Sequence, residues 1–273
     1  MHEIRPGQSI ALLKELHILT GDGRMNQDSR RKLKQVYHLY QFIEPLLQEI
    51  LQAHADIHLV DHGAGKSYLG FILYDLFFKE LKNASRIYGI EAREELVTKS
   101  RDLAARLNFP GMSFLNLSVA ESIASELLPT RVDVVTALHA CDTATDDAIH
   151  FGLKKQARFI VLVPCCQAEV AAVLRKNKGM ALAQNTLSEI WRHPLHTREF
   201  GSLTTNVLRC LQLEAHGYQV SVTELVGWEH SMKNELIIAS YKNLPRQRPA
   251  ERLSEMLHAL GLEEMRQRFF ASP

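Results

Sequence analysis

A chain of 273 residues, 46% of them apolar and 23% charged, has enough material for one large buried core, and this excludes the disordered and fibrous classes. Its formal net charge of +1 provides no global attraction to nucleic acid or acidic surfaces, so such a contact would need a local patch. No segment reaches the roughly 18 apolar residues of a membrane span, and MHEIRPGQSI has no secretory pattern. The cysteines, Cys141, Cys165, Cys166 and Cys210, are too sparse for a disulfide framework. A cytoplasmic protein with no membrane partner is expected; nothing sets its oligomeric state.

Residues 10–19 have helical spacing and end in the turn-like GDGR. From 29 to 53, Leu33, Val36, Leu39, Tyr40, Ile43, Leu47 and Ile50 recur every three or four positions, and Pro45 predicts a kink or a break into two helices. The first 55 residues thus read as a helical cap. The pattern then changes to short apolar runs. Strands are predicted at 57–61, 86–91, 112–117, 132–140 and 157–164, with helices at 67–81, 93–109 and 143–156 between them. Continuous apolar strands alternating with amphipathic helices mean βαβ crossovers and a parallel sheet covered on both faces. After Pro164 about 50 residues read as largely helical, and β-like runs at 218–226 and 234–242 form a hairpin. The expected fold is α/β: a Rossmann-like, seven-stranded, mostly parallel sheet with an antiparallel last strand and an N-terminal helical cap. Residues 56–243 would form this main domain, and 244–273 a helical tail.

An open sheet of this kind binds ligands outside the carboxyl ends of its strands. There the first strand runs into IHLVDHGAGK (57–66), with Asp61 at its tip and Gly63 and Gly65 in the turn. Glycines let the chain turn sharply and let a ligand touch backbone. A plain strand-to-helix turn would also use them. Glu91, about 30 residues on, ends the second strand, where an acid suits ribose hydroxyls. The loop lacks both the GxGxxG of a dinucleotide site, whose third glycine would fall near Tyr68, and the GxxxxGK[ST] of a P-loop. A cofactor with an adenosine and no phosphates fits best, and Lys66 reads as a helix-start residue.

On these residues the chain resembles the class I S-adenosylmethionine-dependent methyltransferases: residues 57–65 look like their acid-x-Gly-x-Gly motif, Glu91 like their second-strand acid. A narrower likeness lies in HACD (139–142), PCC (164–166) and EHSMKN (229–234). These are similar to a group that includes the methyltransferase domain of the glutathione-S-transferase C-terminal domain-containing protein. The resemblance implies S-adenosyl-L-methionine as cofactor, with contacts from Asp61, His62, Gly63, Gly65, Glu91, Ala92, Ser118, Val119 and Leu138. It implies His139 and Asp142 at the point of methyl delivery, and Cys165, Cys166, Lys233 and Asn234 toward the acceptor. One departure is the third strand, LNLSVAES, which has no acid at its tip.

His139 is the candidate general base, or a strand-end histidine satisfied by a backbone carbonyl. His139, Cys141, Cys165 and Cys166 also invite a zinc reading, but adjacent cysteines rarely share one ion, and cofactor-pocket packing is preferred, so no metal is assigned. Lys233 and Asn234 are equally compatible with ordinary turn chemistry. Arg30, Arg31, Lys32 and Lys34 form a basic run on the second helix that reads as a solvated face or as an RNA contact. The acceptor expected from the sequence is RNA, the alternative being a non-catalytic methyltransferase-like module that binds RNA or a protein partner.

Overall fold

The computed structural model describes residues 4–138, 142–164, 167–177, 189–190, 192–225 and 235–270, without the side chains of Asp28 and Lys32. Helix α1 (Ile10–Glu15) starts at Ser9, whose hydroxyl accepts the Leu12 N–H at 3.1 Å. Helix α2 (Gln27–Ala53) starts at Asn26, which accepts from Ser29 N–H at 2.8 Å. It runs through Pro45 as one helix rather than two. Proline removes one bond there, but Ile43, Leu47 and Ile50 on the same face are all fully buried, and that packing outweighs the lost bond.

The sheet follows in strict alternation: β1 (His58–His62), α3 (Tyr68–Leu76), β2 (Arg86–Ile90), α4 (Glu94–Arg106) and β3 (Met112–Leu115). Then come α5 (Val119–Ala124), β4 (Val134–Leu138), α6 (Thr143–Lys154), β5 (Phe159–Val163) and α7 (Glu169–Lys176). The long α8 (Pro194–Ala215), β6 (Tyr218–Glu224), β7 (Glu235–Tyr241), α9 (Gln247–Ala259) and α10 (Arg266–Phe269) complete it. Short α5 has no sequence periodicity to betray it; a reciprocal Ser118–Glu121 capping box makes it.

The strand order is β3-β2-β1-β4-β5-β7-β6, parallel except for β7, which runs antiparallel to β5 and β6. The chain leaves β1 toward one edge and returns to β4 on its other side, so the order reverses between β1 and β4. That is where open sheets place their ligands. One apolar cluster joins α1, α2 and α3 to one sheet face through Leu13, Ile43, Leu47, Leu59 and Phe71. A second, with Val60, Val135, Phe151, Ile160 and Ile237, covers the other face. A third packs α7, α8, α9 and α10 together through Val170, Leu208, Leu253 and Phe269. Among the described residues no helix is long and apolar enough to cross a membrane.

Candidate active site

At the tip of β1, Asp61 is only 2% exposed, and its carboxylate turns inward. It accepts hydrogen bonds from the Ser67 hydroxyl at 3.0 Å and from the Thr136 hydroxyl of β4 at 2.9 Å. Burial lifts its pKa to about 6, against the pull of those two bonds and the Gly70 N–H. Asp61 thereby ties both sides of the β1/β4 switch to the start of α3. Gly70 permits this closeness: a Cβ there would lie 2.4 Å from Ser67 Oγ. Between them the loop turns through Gly63 (φ 65°) and Gly65 (φ 57°), both in the left-handed region that favours glycine. Lys66 is exposed beside Ser67, the N-cap of α3.

The same loop is stitched to the tip of β2. Ala64 N–H donates to the Ile90 carbonyl at 2.9 Å and Gly65 N–H to Glu91 Oε2 at 2.8 Å. Glu91 also accepts from Arg93, through its backbone N–H at 3.0 Å, Nε at 2.9 Å and a terminal guanidinium nitrogen at 3.2 Å. Burial works to raise its pKa, but the Arg93 and Gly65 bonds win and hold it below the usual carboxylate range. His62 is 4% exposed, 5.3 Å from the Phe151 ring, and burial pushes its pKa down to about 4. Neither of its ring nitrogens has a partner among the described residues.

After β3, where no acid stands at the tip, the Asn116 amide donates to the carbonyls of Glu91 at 3.0 Å and Ala92 at 2.8 Å. This amide pulls the chain out of the strand after Leu115, two residues before the predicted end. Ser118 Oγ is engaged as the N-cap of α5, and half-buried Val119 opens that helix.

On the other side of the switch, half-buried Leu138 ends β4, and Asp142 precedes α6 with φ 49° and ψ −117°, a strained conformation for a residue with a Cβ. Its carboxylate accepts the Ala168 N–H at 3.3 Å, and its carbonyl accepts from Arg209 at 2.8 Å. Arg209, fully buried on α8, forks onto Asp146 at 2.7 and 2.9 Å and reaches Asn206 at 3.2 Å. Asn206 in turn accepts from Gln167 beyond β5 at 2.6 Å and donates to Glu235 of β7 at 2.5 Å. One helix therefore fastens the ends of β4, β5 and β7.

His139, Cys141, Cys165, Cys166, Lys233 and Asn234 lie outside the described residues, and the zinc reading falls on them. Among the described residues no cluster of three metal-ligating side chains occurs. Arg30, Arg31 and Lys34 are exposed near the start of α2. Sequence reasoning missed Ser67, Arg93, Asn116, Thr136, Asn206 and Arg209. Only α8 carried a signal: in SLTTNVLRCLQ, Thr205, Arg209 and Gln212 recur at the spacing of a buried face.

This site suits a cofactor with an adenosine and an amino-acid end. The glycine turn is half-buried, Glu91 stands at its rim, and a buried imidazole with no partner among the described residues adjoins it. A family model described as a methyltransferase domain matches residues 31–173, just over half of the chain. No curated protein matches in sequence. Among solved structures, magnesium protoporphyrin IX methyltransferase from Synechocystis PCC 6803 with bound SAH is 16% identical, over 86% of this chain and 96% of its own, with TM-score 0.47. Precorrin-6y C5,15-methyltransferase from Geobacter metallireducens GS-15 is 20% identical, over 68% and 80%, with TM-score 0.41. TrmK of M. capricolum in complex with S-adenosyl-homocysteine is 9% identical, over 78% and 89%, with TM-score 0.41. With that family match over a seven-stranded sheet of this order, the chain belongs to the methyltransferase-domain family and is an S-adenosylmethionine-dependent enzyme.

Proposed function

We propose that this enzyme methylates RNA in the cytoplasm, and that within its class it belongs to the group with HACD and PCC stretches. The observation that carries the cofactor side of the reading is the Gly65–Glu91 bond, which makes the glycine turn and the second-strand acid one continuous rim. When bound, S-adenosylmethionine supplies a methyl group on a sulfonium, which needs little activation. The chain's own work is alignment of the acceptor and removal of its proton.

In this reading Glu91 accepts from ribose hydroxyls, and Asp61 keeps the Gly63–Gly65 turn in shape for the methionine end. His62, Ala92, Ser118, Val119 and Leu138 complete the cofactor wall. His139 takes the acceptor's proton, and Asp142 frames the point of transfer. Cys165, Cys166, Lys233 and Asn234 meet the acceptor. RNA is supported by exposed Arg30, Arg31 and Lys34, which can reach phosphates.

The test is tritium transfer from labelled S-adenosylmethionine to total RNA and protein from a strain lacking the gene. Label should enter RNA, and His139→Ala should lower it by about 100-fold or more, the lower bound for losing a general base. Label in protein alone would refute the RNA acceptor.

A further inference from the structure

At the end of the sheet opposite the strand tips lies a cavity of about 400 Å³ whose polar lining is Arg131, Lys154, Gln156, His216, Tyr241 and Arg246. Arg131 stands before β4, Gln156 before β5, and Tyr241 closes the antiparallel β7. A strand of five residues, roughly 17 Å, therefore separates this cavity from the candidate active site. Leu153 and Tyr218, both buried, complete the lining.

Of the described residues, three cations line this space and no acid does. Among the described residues, neither Arg131 nor Lys154 has an acidic partner. The fold also fixes its components. Arg246 donates to the Tyr241 hydroxyl at 3.1 Å, and that hydroxyl donates to Asn243 at 3.1 Å. The Arg246 guanidinium lies against Gly217 (φ +91°), where a Cβ would come within 3.3 Å of Nε. The His216 ring is held through Nδ1, 2.7 Å from the Gln212 carbonyl. Arg131, Lys154, Gln156, Tyr241 and Arg246 are exposed, so the space is open to a ligand arriving from solvent.

We propose that this cavity binds a phosphate group. An arginine fork set in place, with a second arginine and a lysine facing the same space, matches the charge and geometry of a tetrahedral oxyanion. The phosphate would come from a small phosphorylated molecule or from a nucleic-acid backbone. The site stands apart from the reacting atoms, so the proposal does not rest on methyl transfer or on its acceptor.

The test uses the full chain, a triple variant R131Q/K154Q/R246Q, and a control variant K82Q/K99Q/R175Q with the same loss of charge at exposed positions elsewhere. Thermal melting checks that all three fold. Equilibrium dialysis with radiolabelled inorganic phosphate should show binding to wild type and control, and at least about tenfold weaker binding to the cavity variant, for losing several charge-assisted bonds. Anisotropy of a fluorescein-labelled oligouridylate across a salt series reads the other source. Three lost single-strand phosphate contacts should flatten the log–log slope by about 2. Loss of phosphate binding with an unchanged RNA slope assigns a small phosphorylated ligand. A flattened slope specific to the cavity variant assigns a nucleic acid. Cavity and control variants that behave alike with both probes would overturn the proposal.

Discussion

Asp61 carries its carboxylate where water hardly reaches, and the hydroxyls of Ser67 and Thr136 stand in for solvent. Its pKa rises from 3.8 to about 6 because burial outweighs those bonds. Between these values the folded chain keeps a proton that the unfolded chain has lost. The group's contribution is therefore whole below pH 3.8 and is lost as pH rises through about 6. The stability of wild type relative to Asp61→Asn should fall by roughly 3 kcal/mol across that window. Urea unfolding at stepped pH measures it; a pH-independent difference would refute the inward role of Asp61.

Glu91 yields a prediction of opposite character. A carboxylate offers about four acceptor positions, and Gly65 and Arg93 together direct four donors at them. A ribose has to compete with the Arg93 side chain for that carboxylate. Arg93→Ala should therefore tighten binding of S-adenosylhomocysteine about two- to tenfold, the net worth of one hydrogen bond. Calorimetry decides by sign, since weaker binding would make Arg93 a cofactor ligand. From the sequence, Asp61 and Glu91 were visible as strand-end acids, but their partners were not. Ser67 and Thr136 are ordinary hydroxyls in apolar stretches, and only the order of strands brings residue 136 beside residue 61.

Among the elements, α8 holds the most polar groups in its buried face: Thr204, Thr205, Asn206, Arg209 and Gln212 are all buried. Removing the guanidinium in Arg209→Met leaves Asp146 buried with its principal partner gone, although Arg268 remains 3.5 Å away. Loss of about 3–5 kcal/mol is expected in chemical unfolding. An Arg209→Met/Asp146→Leu double variant should recover part of it; no recovery would mean that the pair is not what α8 contributes. At the start of α3, Gly70→Ala puts a Cβ against Ser67 and should cost about 1–3 kcal/mol by overpacking, read as a lower Tm. Long amphipathic elements were legible because their apolar period is sustained. Six-residue α5 was not, because a capping box and one turn leave no period to read. At Pro45 the local rule left a kink or a break open, and the buried face of α2 excludes the break.

For the whole molecule, the alternation and the terminal hairpin were legible, because each strand is a continuous apolar run bounded by turn residues. The division into a cap (1–55), a main domain (56–243) and a tail (244–273) is a proposal about roles, and core packing crosses it. Leu13, Ile43 and Leu47 share a cluster with Leu59 and Phe71 of the sheet layer. A fragment lacking residues 1–55 should therefore show no cooperative unfolding by calorimetry. A sharp transition in that fragment would instead make the cap a separately folding unit.

The placement of β7 also bears on how the chain is made. β5, FIVLV, is buried along its whole length, and one of its two partners begins about 70 residues further on. During synthesis that edge of β5 emerges as an unpaired, uncharged template well before residue 235 exists, the kind of strand most prone to pair with a neighbouring chain. Chains that stop short of β7, through truncation or stalling, are expected to aggregate through β5.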